Sequence, residues 1–155
     1  MTSDPRLHST HQPRLRLKPK APTTGYVDGG WWPRSRDLLA ELPALLEVLA
    51  VRLGPVARVA YALGAWDTPP RRVEINGARV RLEGFDSQDK HLLHVTGLGH
   101  QRISLLVVPT NVAENSAHDA LMTAAQRGNA DSPARLLAVA GVPDRDASAE
   151  PLGAR

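Results

Sequence analysis

Between Val56 and Val108 apolar and polar side chains alternate along several stretches of the chain. Val59, Tyr61 and Leu63 recur at every second position of VARVAYAL (56–63), and Val73, Ile75, Val80 and Leu82 do so in RRVEINGARVRLEGF (71–85). Leu93 and Val95 repeat the pattern in HLLHVT (91–96), as do Ile103, Leu105 and Val107 in HQRISLLVV (100–108). A period of two predicts strands with one buried face. Asn76-Gly77 predicts a type I′ hairpin turn, which needs positive φ at both central residues. That turn pairs Ile75 with Ala78, Glu74 with Arg79, Val73 with Val80 and Arg72 with Arg81. Gly97-Leu98-Gly99 predicts a second hairpin, and Pro109 ends it. An earlier alternating run, RLRLK (14–18), predicts a short strand with Leu15 and Leu17 on one side.

The helical period appears elsewhere. In SRDLLAELPALLEVLAVRLGP (35–55), Leu38, Leu42, Leu45, Leu49 and Leu53 fall on one face, and Gly54-Pro55 stops the helix. Pro43 lacks an N–H and crowds the preceding turn, so a kink or break is expected near Leu42. A second helix is expected over 110–128, with Asn111 and Glu114 at capping-box spacing. A third spans 132–141, with Ser132 as cap, Pro133 at the first position and Gly141 as stop. The order predicts an α+β fold: an antiparallel meander of five to six strands with helices packed on one face. Inward lie Val59, Tyr61, Leu63, Val73, Ile75, Val80, Leu82, Leu93, Val95, Ile103, Leu105 and Val107. Outward lie Arg58, Arg72, Glu74, Arg79, Arg81, Glu83, His94, Thr96, His100, Arg102 and Ser104.

One domain over residues 14–142 is expected, with disordered tails at 1–13 and 143–155. The chain has no cysteine, which excludes disulfides, thiolate metal sites and cysteine nucleophiles. Its first twenty residues hold no apolar run and no later stretch is long enough to span a bilayer, so a cytoplasmic protein without signal peptide or membrane partner is expected. Charge is uneven: residues 1–36 carry seven Arg/Lys against Asp4 and Asp28, whereas residues 37–155 carry twelve against fourteen Asp/Glu. A basic leader seeks anions or keeps a tail solvated. Arginine outnumbers lysine sixteen to three, as genomic bias would produce.

RLRLKP, GYVDGGWWPRSRDLLAELP and ISLLVVP together resemble a family of uncharacterised actinobacterial proteins of mycobacterial type, defined only as a domain of unknown function. The resemblance covers roughly residues 14–125, and DGGWWPRSRDL is its most specific block. It implies no activity, cofactor or catalytic residue.

Three of the six aromatic residues, Tyr26, Trp31 and Trp32, crowd into GYVDGGWWPRSR (25–36) beside Arg34 and Arg36. Indoles stack on rings or sugars, guanidinium groups hold anions, and the following helix start adds free N–H groups. Equally, paired indoles between strand and helix plug the end of a core. Trp66 and Asp67, in LGAWDTPPRR (63–72), frame one cleft with this stretch if the two loops meet. The leading expectation is therefore a small binding or regulatory module. It would use Asp28, Trp31, Trp32, Arg34, Arg36, Trp66 and Asp67 for an anionic or aromatic small molecule or a protein partner. One alternative is nucleic-acid association through the basic leader and the outer arginines Arg72, Arg79, Arg81 and Arg102. Sheet aromatics for base stacking are absent, which disfavours that reading. Another is an enzyme with a cleft at Asp28, Trp31, Trp66 and Asp67, although no catalytic motif occurs. His94 and His100 share a face without a third ligand, so no metal is expected. No cofactor is expected either, and the pattern leaves the oligomeric state open.

Overall fold

The computed structural model describes residues 12–19 and 25–142. The expected tails lie outside the described residues, apart from Gln12 and Pro13. The chain order is β1 (Leu15–Leu17), β2 (Gly29–Trp31), α1 (Leu38–Leu53), β3 (Val56–Ala62), β4 (Arg72–Ile75), β5 (Ala78–Phe85), β6 (Leu92–Gly97), β7 (Arg102–Val107), α2 (Glu114–Ala124) and α3 (Pro133–Val139).

Asn76 and Gly77, at φ 53° and 82°, make the expected left-handed turn. Strands β4 and β5 pair across it from Ile75↔Ala78 to Arg72↔Arg81, in the register the turn predicts. The sheet as a whole is not a meander. Its order is β1-β2-β7-β6-β3-β5-β4, with β3 parallel to β5, β2 parallel to β7 and the other pairs antiparallel. The hairpin docks through β5, which buries Val80 and Leu82. Strand β4 buries only Ile75 and stays at the edge. The chain then crosses from β5 to the far side of β3. Gln88 secures that crossing, its amide donating to the carbonyls of Ala60 and Leu92 at 3.0 and 2.8 Å.

The helices cover both faces, not one. On the first face α1 lies over a core that includes all twelve residues expected inward, with Leu63 and Val73 at its margin. On the second face α2 and α3 pack over Val27, Leu106 and Val108. Strand β7 requires this arrangement because SLLVV is apolar on both sides, as in a strand buried twice over. The seventh strand, β2, is likewise buried throughout, and its Gly-Gly-Trp sequence carries no alternation.

Two helix expectations change. Helix α1 runs unbroken from Leu38 to Leu53 with Pro43 inside it. Burial of Leu38, Leu42, Leu45, Leu46, Leu49 and Leu53 along one stripe outweighs the single backbone bond that Pro43 removes. Helix α2 starts at Glu114, and its N-cap is Ala113, which makes no side-chain capping bond; the Asn111–Glu114 box does not form. Asp37 caps α1 and Ser132 caps α3 through their side chains.

Gly29 and Gly64 make a direct test of this packing. A Cβ at Gly29 would fall on the carbonyl oxygen of Arg16 and 2.9 Å from the Leu17 Cα, whereas one at Gly64 would meet nothing within 4 Å. Gly29→Ala is expected to cost about 2 to 3 kcal/mol, or to prevent folding, as overpacking against backbone does. Gly64→Ala is expected to stay within about 0.5 kcal/mol of the parent in urea unfolding.

Candidate functional site

Successive residues of an extended strand point to opposite faces, and this separates the two adjacent indoles. Trp31 enters the α1 core, 1% exposed, and stacks on Trp66 with ring centroids 5.6 Å apart and planes 20° from parallel. Trp32 turns to the second face and lies half-buried beside the α2–α3 cluster. Its indole Nε1 donates to the Pro109 carbonyl at 3.0 Å. Arg14, just ahead of β1, covers the Trp32 ring, 3.7 Å above its centroid, and donates to the carbonyls of Trp32 and Pro33. Burial, then Arg34, disfavour the charge on Arg14, while Glu41 and Glu114 favour it. Trp32 thus already has a cation on its face.

Glu41, in the first turn of α1, accepts from the Arg34 backbone N–H at 3.1 Å and from the Ser35 hydroxyl at 2.7 Å. Arg34 donates to the Gln12 carbonyl. Arg36 donates to the Gly64 carbonyl at 3.2 Å and pairs with exposed Asp67 at 3.8 Å. The Asp67 N–H donates to the Arg36 carbonyl, in a short parallel bridge between Asp37 and Asp67. The two tryptophan loops therefore meet.

Where they meet, a cleft of about 620 Å³ opens. Pairing fixes its position: β2, β3 and β7 run in one direction, and the chain leaving each of them lines the cleft. Pro33, Ser35 and Arg36 come from beyond β2, and Gly64, Ala65 and Trp66 from beyond β3. Lys90 and His91 precede β6, and the segment from Val107 to Ala113 leads into α2. Arg36, Lys90 and His91 contribute cationic or protonatable groups, and no carboxylate is among the lining residues. The start of α2 enters through Ala113 and Ser116 with no side chain capping it. Trp66 is 6% exposed, and its indole Nε1 is buried without a hydrogen-bond partner among the described residues.

Of the expected site residues, Arg36 and Trp66 line this cleft. Trp31 stands behind Trp66 in the core, Asp67 pairs with Arg36, and Trp32 and Arg34 are held by their own neighbours. Asp28 belongs to a separate group. Its carboxylate accepts from the Ser104 backbone N–H at 2.7 Å, its own N–H donates to the Ser104 carbonyl, and Ser104 Oγ shares a 2.7 Å hydrogen bond with His94 Nδ1. Sequence reasoning missed Ser35, Lys90, His91, Thr110 and Asn111 as cleft residues. Lys90-His91 sits just ahead of an alternating run, a faint signal that it borders a strand end. Arg72, Arg79 and Arg81 line a recess on the second face, while Arg102 lies farther along the same row, opposite Thr96. No cluster of three or more potential metal ligands occurs among the described residues.

Burial first, and then Arg102, hold the His94 imidazole below its ordinary value, with Asp28 acting in the opposite sense. The unfolded chain therefore takes up this proton first as pH falls below about 6.5, so the contribution of neutral His94 to stability is lost toward acid. His94→Asn is expected to lose less stability than the parent between about pH 7.5 and about pH 5, read by thermal melts across that window. Equal losses would contradict the assignment. No helix of the described residues is long and apolar enough to cross a membrane. Neither the curated proteins nor the solved structures give a match to this chain. A family model does match, over residues 14–124, which takes in the sheet, α1, α2 and all but the far wall of the cleft: the chain belongs to the family of unknown function DUF5994.

Proposed function

We propose that the protein is a small binding module whose cleft at the ends of β2, β3 and β7 takes an anionic small molecule with an apolar body. The observation that carries this reading is the composition of the lining. Arg36, Lys90 and His91 converge on a cleft with no carboxylate in its wall, and Trp66, Val107, Val108 and Pro109 supply an apolar floor. A few placed polar groups on an apolar wall are the usual make-up of a small-ligand site, and the volume suits one. The start of α2, which no side chain caps, favours negative charge in the same place. In this reading Trp31 supports Trp66 from behind, and Asp67 sets the direction of Arg36. We also read DGGWWPRSRDL as the segment that builds the site, since it supplies the β2 glycines, both indoles, Arg36 and the α1 cap. The excess of arginine over lysine fits an actinobacterial source, and a cytoplasmic setting is part of the same reading.

Phenyl phosphate and benzoate are suitable probes, with tryptophan fluorescence as the readout because Trp66 lines the cleft. Phenyl phosphate is expected to saturate with a Kd below about 1 mM. Arg36→Ala is expected to weaken it at least about tenfold, the worth of one charge-assisted hydrogen bond. Arg127→Ala, outside the cleft, is expected to leave it unchanged. A non-saturating response, or equal binding by the Arg36 variant, would contradict the reading.

A further inference from the structure

The second face of the sheet is divided. Helices α2 and α3 cover the half containing β2 and β7, while the half formed by β6, β3, β5 and β4 carries charged side chains toward solvent. Strand register aligns four arginines and a threonine in one cross-strand row that crosses this half and ends on the exposed first residue of β7. Arg72 lies opposite Arg81, Arg81 beside Arg58, Arg58 opposite Thr96, and Thr96 opposite Arg102. At about 4.8 Å per strand the row spans roughly 19 Å. Arg79, one pleat away on β5, extends it sideways.

Like charges directly opposite one another oppose sheet pairing unless a counter-charge lies between them. Glu83 serves Arg58 and Arg81, at 3.8 and 3.5 Å, and Glu74 stands opposite Arg79. Five arginines still face two glutamates. Arg58, Arg72, Arg79 and Arg81 also line a recess of about 360 Å³ with Thr96 and His100, and no carboxylate is among its lining residues.

A linear row of planar guanidinium groups matches a linear array of phosphates, each fork holding two oxygens. The row exceeds the span of a single small anion. The row itself carries no aromatic side chain, and the exposed Phe85 on the same face stands beyond Glu83 at the end of β5, so the arginines offer unstacked bases no platform among them. A lipid surface would call for apolar side chains around the cations, and only Leu98 stands exposed at this recess. We propose that this face binds the phosphodiester backbone of a nucleic-acid duplex, holding phosphates without reading base sequence.

Fluorescence anisotropy of the full chain with a labelled 20-base-pair DNA duplex, across a salt series, tests this. Five phosphate contacts, one each from Arg58, Arg72, Arg79, Arg81 and Arg102, give a slope of log K against log salt of about −4.5, the same for two unrelated sequences. Arg72→Ala with Arg81→Ala is expected to reduce the slope by about 2 and the affinity at least about tenfold. Arg79→Ala, an exposed hairpin residue whose loss does not endanger folding, is expected to reduce the slope by about 1. A duplex that stays unbound at low salt, a slope unmoved by these variants, or binding to phosphatidylserine vesicles in place of duplex would each overturn the proposal.

Discussion

The structure depends on a three-residue strand buried on both sides. Gly29-Gly30-Trp31 runs between β1 and β7, and each residue meets a different constraint. Gly29 lies against the backbone of Arg16 and Leu17, and Gly30 against Leu121 and Ala124 of α2. Trp31 fills the opposite core and meets Trp66. Backbone bonds extend the strand at both ends, with the Asp28 N–H donating to the Ser104 carbonyl and the Val108 N–H to the Trp31 carbonyl. A side chain at either glycine would push the strand away from β1 or α2, so the two absent Cβ atoms set how closely β1 and α2 can approach β2.

That strand also sets the course of the chain beyond it. Because Trp31 points into one core and Trp32 into the other, the chain leaves the sheet pinned on both faces, with Arg14 over one indole and Trp66 against its neighbour. Residues 33–37 are thereby delivered to the end of β3, where Arg36 meets Gly64 and Asp67. The cleft is the gap left between that fixed segment, the loop beyond β3 and the uncapped start of α2. On the second face, α2 can settle only where side chains are small or apolar. It lies over Gly30, Leu106 and Val108, leaving the arginine half of the sheet in water.

The sequence disclosed side-chain directions better than strand neighbours. The facing of Ile75, Val80 and Ile103 toward α1, and of Arg72 and Arg81 away from it, follows from period two and one hairpin turn, both local properties. Which strands lie side by side is decided by distant packing. Nothing within 56–85 announces that β3 will pair with β5 in parallel and place Arg58 in line with Arg81. The two-faced burial of SLLVV was readable in principle, since a continuous apolar run marks a strand covered on both sides. Gly29-Gly30-Trp31 was not, because glycine carries no polarity to alternate. The cleft shares that difficulty: Arg36 and Trp66 stood out by composition, whereas Lys90 and His91 reach it only through the crossing from β5 to β6.

Native-state hydrogen exchange at Asp28 and Val108 measures the central constraint most directly. Both amides bond across the β2–β7 junction, so on this account they open only with global unfolding and exchange with the same free energy as the buried β6–β7 amides. Exchange at Asp28 and Val108 as fast as in exposed turns, with β6 and β7 still protected, would contradict a structure organised around a doubly buried β2.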